Sequence, residues 1–222
     1  MKTLIAIPCM DMLPAVFLRS LLQMQIIGEV DYDIVTSSLI YDARNHIIQD
    51  ALSGSYDYIL WLDSDMEIPT ETMWKLKIGI EAGFDMMSGL YFKRVHPHGP
   101  VIYRRCELVK LEGGKLDPVA EAYEDYPRSQ MFEIAACGFG LCMTSMDLVR
   151  RVNDQFGQMP FMPVGGFGED LSFCIRAKRA GGRIGCDSSV KAGHIGRMVF
   201  DEDWHDRTVR EENGHGNGYN AG

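Results

Sequence analysis

The sequence predicts an α/β fold: a mixed, mostly parallel sheet flanked by helices, with a small antiparallel hairpin region. Three observations favour it. Short runs of apolar, β-prone residues alternate with amphipathic stretches over about the first 80 residues, a pattern typical of parallel sheets. Glycines follow the predicted helices, and a glycine in this position can end a helix. In the middle of the chain, β-prone pieces broken by Gly113-Gly114 predict the hairpin.

The first part of the chain alternates strands with helices. Asp42 is expected to cap the second helix, because a carboxylate can accept hydrogen bonds from a helix's first turn. The predicted strands are Thr3 to Pro8, Tyr32 to Ser37, Tyr58 to Leu62 and Phe84 to Tyr91, and the predicted helices are Leu13 to Ile27, Ala43 to Ser53 and Thr70 to Gly83.

The second part is less regular. Its acidic, polar stretch Ala120 to Gln130 has no apolar period and predicts a mobile surface loop or lid. The chain shows no internal repeat and no linker, which predicts a single domain over 1–200 followed by a polar, mobile tail at 201–222. The other predicted elements are a hairpin within Val101 to Val119, an apolar stretch Met131 to Thr144, helices near Ser145 to Val152 and from Glu169 to about Ala180, and strands Arg183 to Cys186 and Val190 to Ala192.

Composition excludes several classes of protein. The net charge of −9 argues against general binding to nucleic acid, although a metal and one or two basic residues could still bind a small anion. The six cysteines form no C-x-x-C pair, which indicates buried thiols in a reducing compartment and a cytoplasmic location. No signal peptide is recognisable, and no apolar run approaches the ~20 residues that a transmembrane helix needs.

Two carboxylates one residue apart end the third predicted strand. Asp63 and Asp65, with Ser64 between them, follow the β-prone run Tyr58 to Leu62. Two carboxylates suit Mn²⁺ or Mg²⁺ when a diphosphate supplies the remaining ligands. The alternative is an Asx-rich turn that closes a buried strand.

Other polar residues are predicted to face the same crevice, beyond the carboxyl ends of the strands. Arg44 and Asn45 are expected in the first turn of the second helix, where an arginine opposes the helix dipole and therefore indicates an anion; the alternative is a solvated surface arginine. Glu169 and Asp170 open a helix after a glycine-rich turn. They are either favourable helix-start residues or a carboxylate that acts as a general base or binds the acceptor.

Two further basic or metal-binding candidates are isolated in sequence. His194 follows the last predicted strand, and is either a packed core residue or the partner of the aspartates in a site for a metal such as Mn²⁺. The second candidate is the pair Lys93-Arg94, which follows the fourth predicted strand and either adds positive charge near phosphate or sugar or is plain surface charge.

Three blocks of the sequence, taken in order, resemble nucleotide-sugar glycosyltransferases of the GT-A fold, of bacterial or phage type. The resemblance runs from about Thr3 to His194, and its last block is similar to polypeptide N-acetylgalactosaminyl-type and family 2 transferases. The blocks are Tyr41-Asp42-Ala43-Arg44-Asn45, the strand ending in Asp63-Ser64-Asp65, and Gly168-Glu169-Asp170 followed by Gly181-Gly182 and Gly193-His194.

The resemblance implies a role for each candidate residue. Asp63 would meet the ribose and the metal, and Asp65 and His194 would bind Mn²⁺ or Mg²⁺. Asp170, with Glu169 as the second candidate, would be the base that activates the acceptor. The residues implied in binding the nucleotide sugar are Ile7, Pro8, Arg44, Asn45, Asp63, Ser64, Lys93 and Gly138.

The function implied is transfer of a sugar from a UDP- or GDP-linked donor to a hydroxyl of a saccharide, lipid-linked or protein acceptor. Thr36-Ser37-Ser38 stand where such transferases often have an acidic residue, so the donor base stays open, as does inversion or retention. Two other classes are kept as alternatives. A nucleotidyltransferase would usually have a basic, glycine-rich loop where this chain has Cys9-Met10-Asp11-Met12, and the other alternative is a non-catalytic binding module on the same scaffold.

Overall fold

Strands and helices alternate over the first 90 residues of the chain, as the sequence predicts. The computed structural model describes residues 1–111, 113–196 and 199–215, without side chains for 199–200 and 211–215. The third strand has the predicted bounds. These elements are β1 (Lys2–Cys9), α1 (Ala15–Gln23), β2 (Glu29–Thr36), α2 (Ile40–Ser53), β3 (Tyr58–Leu62), β4 (Met66–Glu67), α3 (Thr72–Glu81) and β5 (Met86–Leu90).

The remaining elements include the predicted hairpin, formed by the first two of them. Ser145 caps the fourth helix, because its Oγ accepts a hydrogen bond from the Leu148 N–H at 3.2 Å. The elements are β6 (Ile102–Lys110), β7 (Leu116–Ala122), β8 (Met131–Ile134), β9 (Ala136–Cys137), β10 (Leu141–Ser145), α4 (Met146–Phe156), α5 (Glu169–Arg179), β11 (Ile184–Lys191), β12 (Gly193–Ile195), β13 (Val199–Phe200) and α6 (Glu202–His215).

A seven-stranded sheet of order β2-β1-β3-β10-β5-β11-β8 forms the centre of the described part of the chain. The sheet is mixed but mostly parallel, because only β10 and β8 run against the other strands. Its inner strands are buried on both sides, which explains their nearly continuous apolar sequence. Two three-stranded sheets, β13-β12-β4 and β7-β6-β9, extend the fold at its margins.

Helices cover both faces of the large sheet. On one face, apolar residues of α2, α4 and α5 pack with the side chains of β1 and β3 around Trp61. On the other face, Phe17 and Leu21 of α1 and Met73 and Leu76 of α3 form a second cluster. None of the helices in the described ranges is long and apolar enough to cross a membrane.

The first helix is shorter than predicted at both ends. Pro14 stands immediately before it, and a proline disfavours helical conformation in the residue that precedes it. At the other end Met24 is already extended, with ψ of 132°. The N–H of Gln25 donates to the carbonyl of Thr70 at 2.8 Å, so the chain leaves the helix to join the fold.

The predicted loop at 120–130 is more ordered in structure than its composition indicates. Residues 120–122 belong to β7, and Tyr126 is only 4% exposed. Ser188 holds the loop through its Oγ, which donates to the Pro127 carbonyl at 2.6 Å, and through its N–H, which donates to the Gln130 carbonyl at 3.1 Å. The stretch is therefore part strand and part anchored loop rather than surface loop throughout. Its mobility and its movement over a ligand stay predictions.

The predicted polar tail begins as a helix. Glu202 and His205 of α6 are each 8% exposed, so the start of this helix packs on the domain despite its polar composition. Residues 216–222, which belong to the same predicted tail, lie outside the described residues. That the tail is mobile stays a prediction.

Candidate active site

Asp63, Ser64 and Asp65 form the turn that follows β3. The N–H of Asp63 donates to the Gly140 carbonyl at 3.0 Å, and the N–H of Met66 donates to the Asp63 carbonyl at 3.2 Å. The chain then enters β4, in which Met66 pairs with His194 of β12. Both carboxylates thus stand at the carboxyl edge of the parallel strands, where ligands bind in open α/β sheets.

A buried arginine links two carboxylates at this edge. Arg44 is 1% exposed, and its Nη2 lies 3.1 and 3.3 Å from the carboxylate oxygens of Asp63 and 3.2 Å from Asp170 Oδ1. Its guanidinium carbon lies 5.2 Å from the ring centre of Phe139 and 5.7 Å from that of Phe161. Burial lowers the pKa of Arg44, but Asp170 and Asp63 outweigh burial and raise it.

Arg44 and Asn45 differ from the prediction in their position along the helix and in their surroundings. Because α2 begins at Ile40, both residues lie in its second turn rather than its first. Arg44 is buried and its guanidinium faces the two carboxylates, so its contact with a nucleotide stays a prediction that requires the side chain to move. Asn45 is 4% exposed, and its Oδ1 accepts the Phe161 N–H at 2.9 Å, which is a contact inside the protein rather than with a ligand.

Asp170 lies at the start of α5 and reaches the same arginine. Its Oδ2 accepts the Phe139 N–H at 3.2 Å, whereas its Oδ1 makes the ion pair with Arg44 without hydrogen-bond geometry. Burial raises the pKa of Asp170 to about 7; Arg44 opposes this rise, and the charges of Glu169 and Asp63 add to it. Burial likewise raises the pKa of Asp63, although Arg44 lowers it.

His194, Asp65 and Arg94 form a second polar group beside the first. His194 Nε2 lies 3.5 Å from Asp65 Oδ2, and Arg94 Nη2 lies 2.9 Å from the same oxygen. Burial opposes ionisation of Asp65, but His194 and Arg94 outweigh it and lower its pKa. The Nδ1 of His194 lies 2.7 Å from the Phe92 carbonyl and must donate to it, so in the neutral ring the lone pair is on Nε2, facing Asp65.

A cleft of about 280 Å³ opens next to the two aspartates. The ends of β1 and β2 form its other walls. Of the residues predicted to bind the nucleotide sugar, Pro8, Asp63 and Ser64 line this cleft together with Asp65. The other lining residues, which the sequence reasoning did not include among the nucleotide-binding residues, are Cys9, Met10, Ser37, Ser38 and Ile40. Cys9 and Met10 lie at the end of β1, and Ser37 and Ser38 follow β2. Their position at the ends of two adjacent parallel strands is the signal that would have identified these four residues.

Besides Arg44 and Asn45, three further residues predicted to bind the nucleotide sugar do not line this cleft. Ile7 is completely buried in the core. The ammonium of Lys93 lies 6.0 Å from the ring centre of Tyr103. Gly138 is crowded by protein, since a Cβ at this position would lie 2.1 Å from the hydroxyl oxygen of Tyr91.

Asp63, Asp65 and His194 carry ligand atoms that a divalent cation accepts, but the three side chains do not converge on one position. In the described ranges, no three His, Cys, Asp or Glu side chains converge closely enough to hold a metal ion. The Asp63 carboxylate faces Arg44, and the Asp65 carboxylate faces Arg94 and His194. The lone pair of His194 Nε2 and a carboxylate 3.5 Å away are nevertheless two ligands that Mn²⁺ accepts.

Comparison with known proteins shows the fold. A crystal structure of protein A197 from STIV matches with a TM-score of 0.67 and 19% identity, over 90% of this chain and 94% of that one. A crystal structure of GalNAc-T7 with UDP, GalNAc and Mn²⁺ matches with a TM-score of 0.58 and 12% identity, over 89% of this chain and 43% of that one. No family model and no curated protein sequence matches the chain. The chain therefore has a GT-A fold.

Proposed function

We propose that this chain is a metal-dependent glycosyltransferase that moves a sugar from a nucleoside-diphosphate sugar to a hydroxyl acceptor. One observation carries the proposal: Asp63, which borders the cleft, and Asp170 of α5 are held by the same buried arginine. The arrangement brings a cleft for a donor together with a carboxylate that can accept a proton. The GT-A fold and the likeness to a transferase crystallised with UDP and Mn²⁺ support the proposal.

Each residue of the site has a proposed task. Pro8 and the aspartate turn would bind the nucleotide, with Asp63 meeting the ribose. Asp65 and His194 would hold Mn²⁺ or Mg²⁺, with Asp63 as the third candidate ligand. A bound ion would stabilise the charge that grows on the departing nucleoside diphosphate.

Asp170 is the proposed general base. A base that removes the acceptor's proton works best when its pKa lies near the working pH, and the pKa of Asp170 is about 7. Its Oδ2 is oriented by the Phe139 N–H and its Oδ1 lies beside Arg44, so the carboxylate is held in place. Glu169 is the second candidate for the same task.

The test is an assay of product from a panel of UDP- and GDP-sugars, with Mn²⁺, with Mg²⁺ and with a chelator. A glycosyltransferase releases nucleoside diphosphate from one of these donors in a metal-dependent way, and faster when its acceptor hydroxyl is present. In a parallel assay with nucleoside triphosphates and sugar 1-phosphates, release of inorganic diphosphate would instead indicate the nucleotidyltransferase alternative. Binding of a sugar without turnover of any donor would favour the non-catalytic module.

A further inference from the structure

Tyr91 is buried against Gly138 and Gly140, two glycines to which the proposed site gives no role. It follows β5 and is 5% exposed. A Cβ on Gly138 would lie 2.1 Å from the hydroxyl oxygen of Tyr91, and a Cβ on Gly140 would lie 2.9 Å from its Cζ. Neither glycine has a positive φ. Both positions therefore require glycine for the space that the tyrosine fills, and not for an unusual backbone conformation.

The segment 138–140 contacts both carboxylate-bearing residues through its backbone. The N–H of Phe139 donates to Asp170 Oδ2 at 3.2 Å, and the carbonyl of Gly140 accepts the N–H of Asp63 at 3.0 Å. On its third side the same segment is held by the tyrosine, because the Gly140 N–H donates to the Tyr91 hydroxyl at 3.1 Å. One buried hydroxyl thus anchors the peptide that orients two acids.

The ring of Tyr91 also reaches the metal-binding candidate. Its centre lies 5.6 Å from that of the His194 imidazole, with the planes at 88°. This edge-to-face contact restricts the rotation of the imidazole, whose Nδ1 is held by the Phe92 carbonyl.

We propose that Tyr91 is a positioning residue that sets the placement of Asp63, Asp170 and His194 through the glycine segment 138–140. The inference rests on the proposed function for its consequence in catalysis, but the positioning itself can be measured without turnover. The competing explanation is that Tyr91 only fills the core beside Met66 and Leu141. Core filling predicts a general loss of stability, whereas positioning predicts a local loosening.

The first experiment is amide hydrogen exchange in Tyr91→Phe, which removes the hydroxyl and keeps the ring. Loss of a net stabilisation of about 1 kcal/mol corresponds to exchange that is about 5-fold faster. We expect that acceleration at Phe139 and Asp63 as well as at Gly140, with the amides of β1 unchanged. Faster exchange at Gly140 alone, or equally at all amides, would overturn the proposal.

Tyr56→Phe is the matched control. It removes a hydroxyl that donates to Asp31 Oδ2 at 2.8 Å, at the opposite, amino-terminal edge of the sheet. Its exchange changes should stay near Asp31 and leave Phe139 and Asp63 as they are.

A double-mutant cycle tests the fit between the tyrosine and the glycine. Gly138→Ala should lower the melting temperature, because the new methyl group meets the Tyr91 hydroxyl. In the Tyr91→Phe background that atom is gone, so the same substitution should cost less, although Val101 Cγ1 at 2.7 Å still limits the recovery. Strictly additive effects would contradict the fit.

Kinetics with an active donor separates this inference from the proposed function. We expect Tyr91→Phe to lower kcat about 10- to 100-fold with little change in the donor KM, since misplacement by about 1 Å can cost that much. An unchanged kcat would overturn the positioning role. If the wild-type protein turns over no donor, the proposed function fails, and the exchange pattern still decides the role of Tyr91.

Discussion

Arg44 is almost completely buried, and it pairs with the two partly buried carboxylates of Asp63 and Asp170. Such buried ion pairs are often no more stable than apolar residues of similar volume. Their benefit here is geometric, because one planar guanidinium holds the end of β3 and the start of α5 at a defined separation. The same burial accounts for the raised pKa of both carboxyl groups.

Replacement of Asp170 tests its role as the base. Asp170→Asn keeps the shape of the side chain but cannot accept a proton. We expect transfer to fall by about 10²- to 10⁴-fold while donor binding changes little. In the wild-type protein, transfer should rise as the pH passes upward through about 7, because the base must be ionised. Near-normal transfer by the variant, or a product of retained anomeric configuration, would exclude Asp170 as the base.

Stability measurements give an independent check on the Asp170 ionisation. Its pKa in the folded protein is about 7, above the unfolded value near 3.8, so the folded state binds the proton more tightly between these values. The free energy of unfolding of the wild type should therefore fall, relative to that of Asp170→Asn, as the pH rises from about 4 to about 7. Denaturant titrations at several pH values measure this slope, and an opposite slope would contradict the assignment.

Arg94 would compete with the proposed metal ion for Asp65. Its Nη2 lies 2.9 Å from Asp65 Oδ2, and its Nη1 donates to the Ile195 carbonyl at 2.8 Å. A cation that binds Asp65 must displace this partly exposed ion pair, whose worth is about 0.2–1 kcal/mol. Arg94→Gln should therefore bind Mn²⁺ up to about 5-fold more tightly in the presence of UDP or GDP, as measured by electron paramagnetic resonance.

Arg105→Gln, which breaks a surface ion pair with Glu107, is the control for this measurement. Weaker Mn²⁺ binding by Arg94→Gln would show that Arg94 supports the metal site instead.

At the scale of elements, the periodicity of apolar residues in the sequence predicts the helices and strands that bury a regular apolar stripe. The third strand, the hairpin and the helix from Glu169 follow from sequence because each is defined by local composition and nearby glycines. The start of α2 at Ile40 does not follow from the sequence, because no side chain caps the helix and Asp42 lies inside its first turn. The helix at 202–215 was missed because the buried positions among residues 202–210, Glu202 and His205, are polar and give no apolar stripe.

Glu202 anchors α6 to the predicted lid segment. Its carboxylate accepts a hydrogen bond from the Tyr126 hydroxyl at 3.0 Å and pairs with Arg128 and Lys191. Burial opposes ionisation of Glu202, but Lys191, Tyr126 and Arg128 outweigh it and lower its pKa. This stabilisation is present above the unfolded pKa of about 4.5 and is lost as the pH falls through the lower folded value.

Glu202→Gln should therefore destabilise the protein at neutral pH. We expect a loss of about 1–3 kcal/mol at pH 7, the usual worth of hydrogen bonds to a buried charge, and a smaller difference from the wild type below about pH 4. Urea unfolding at the two pH values measures both. Hydrogen exchange should also become faster in 123–130 and α6 while the central strands keep their protection. A uniform change across the chain would contradict a local anchor.

At the scale of the molecule, the site is assembled by the order of strands in the sheet. The Asp63 turn follows β3, and the insertion of β10 next to β3 brings Gly140 beside it. The sequence indicates which carboxylates are important, because they end a strand or open a helix. It does not show that Arg44 is buried between them or that Tyr91 lies over two glycines, since both depend on contacts between residues far apart in the chain.

Ligand binding should therefore stabilise the whole domain. A ligand at about 100 times its Kd adds about 2.7 kcal/mol to the free energy of unfolding, or a rise of about 5–10 °C in the melting temperature for a domain of this size. We expect this rise with UDP or GDP plus Mn²⁺, and a much smaller one with either component alone.

Asp65→Asn should remove the part of the rise that depends on Mn²⁺, because the substitution weakens a proposed metal ligand. Asp57→Asn, which alters a carboxylate at the amino edge near Lys2, should keep the full rise. An equal rise without the metal would contradict metal-dependent binding, and a full rise in Asp65→Asn would place the cation elsewhere.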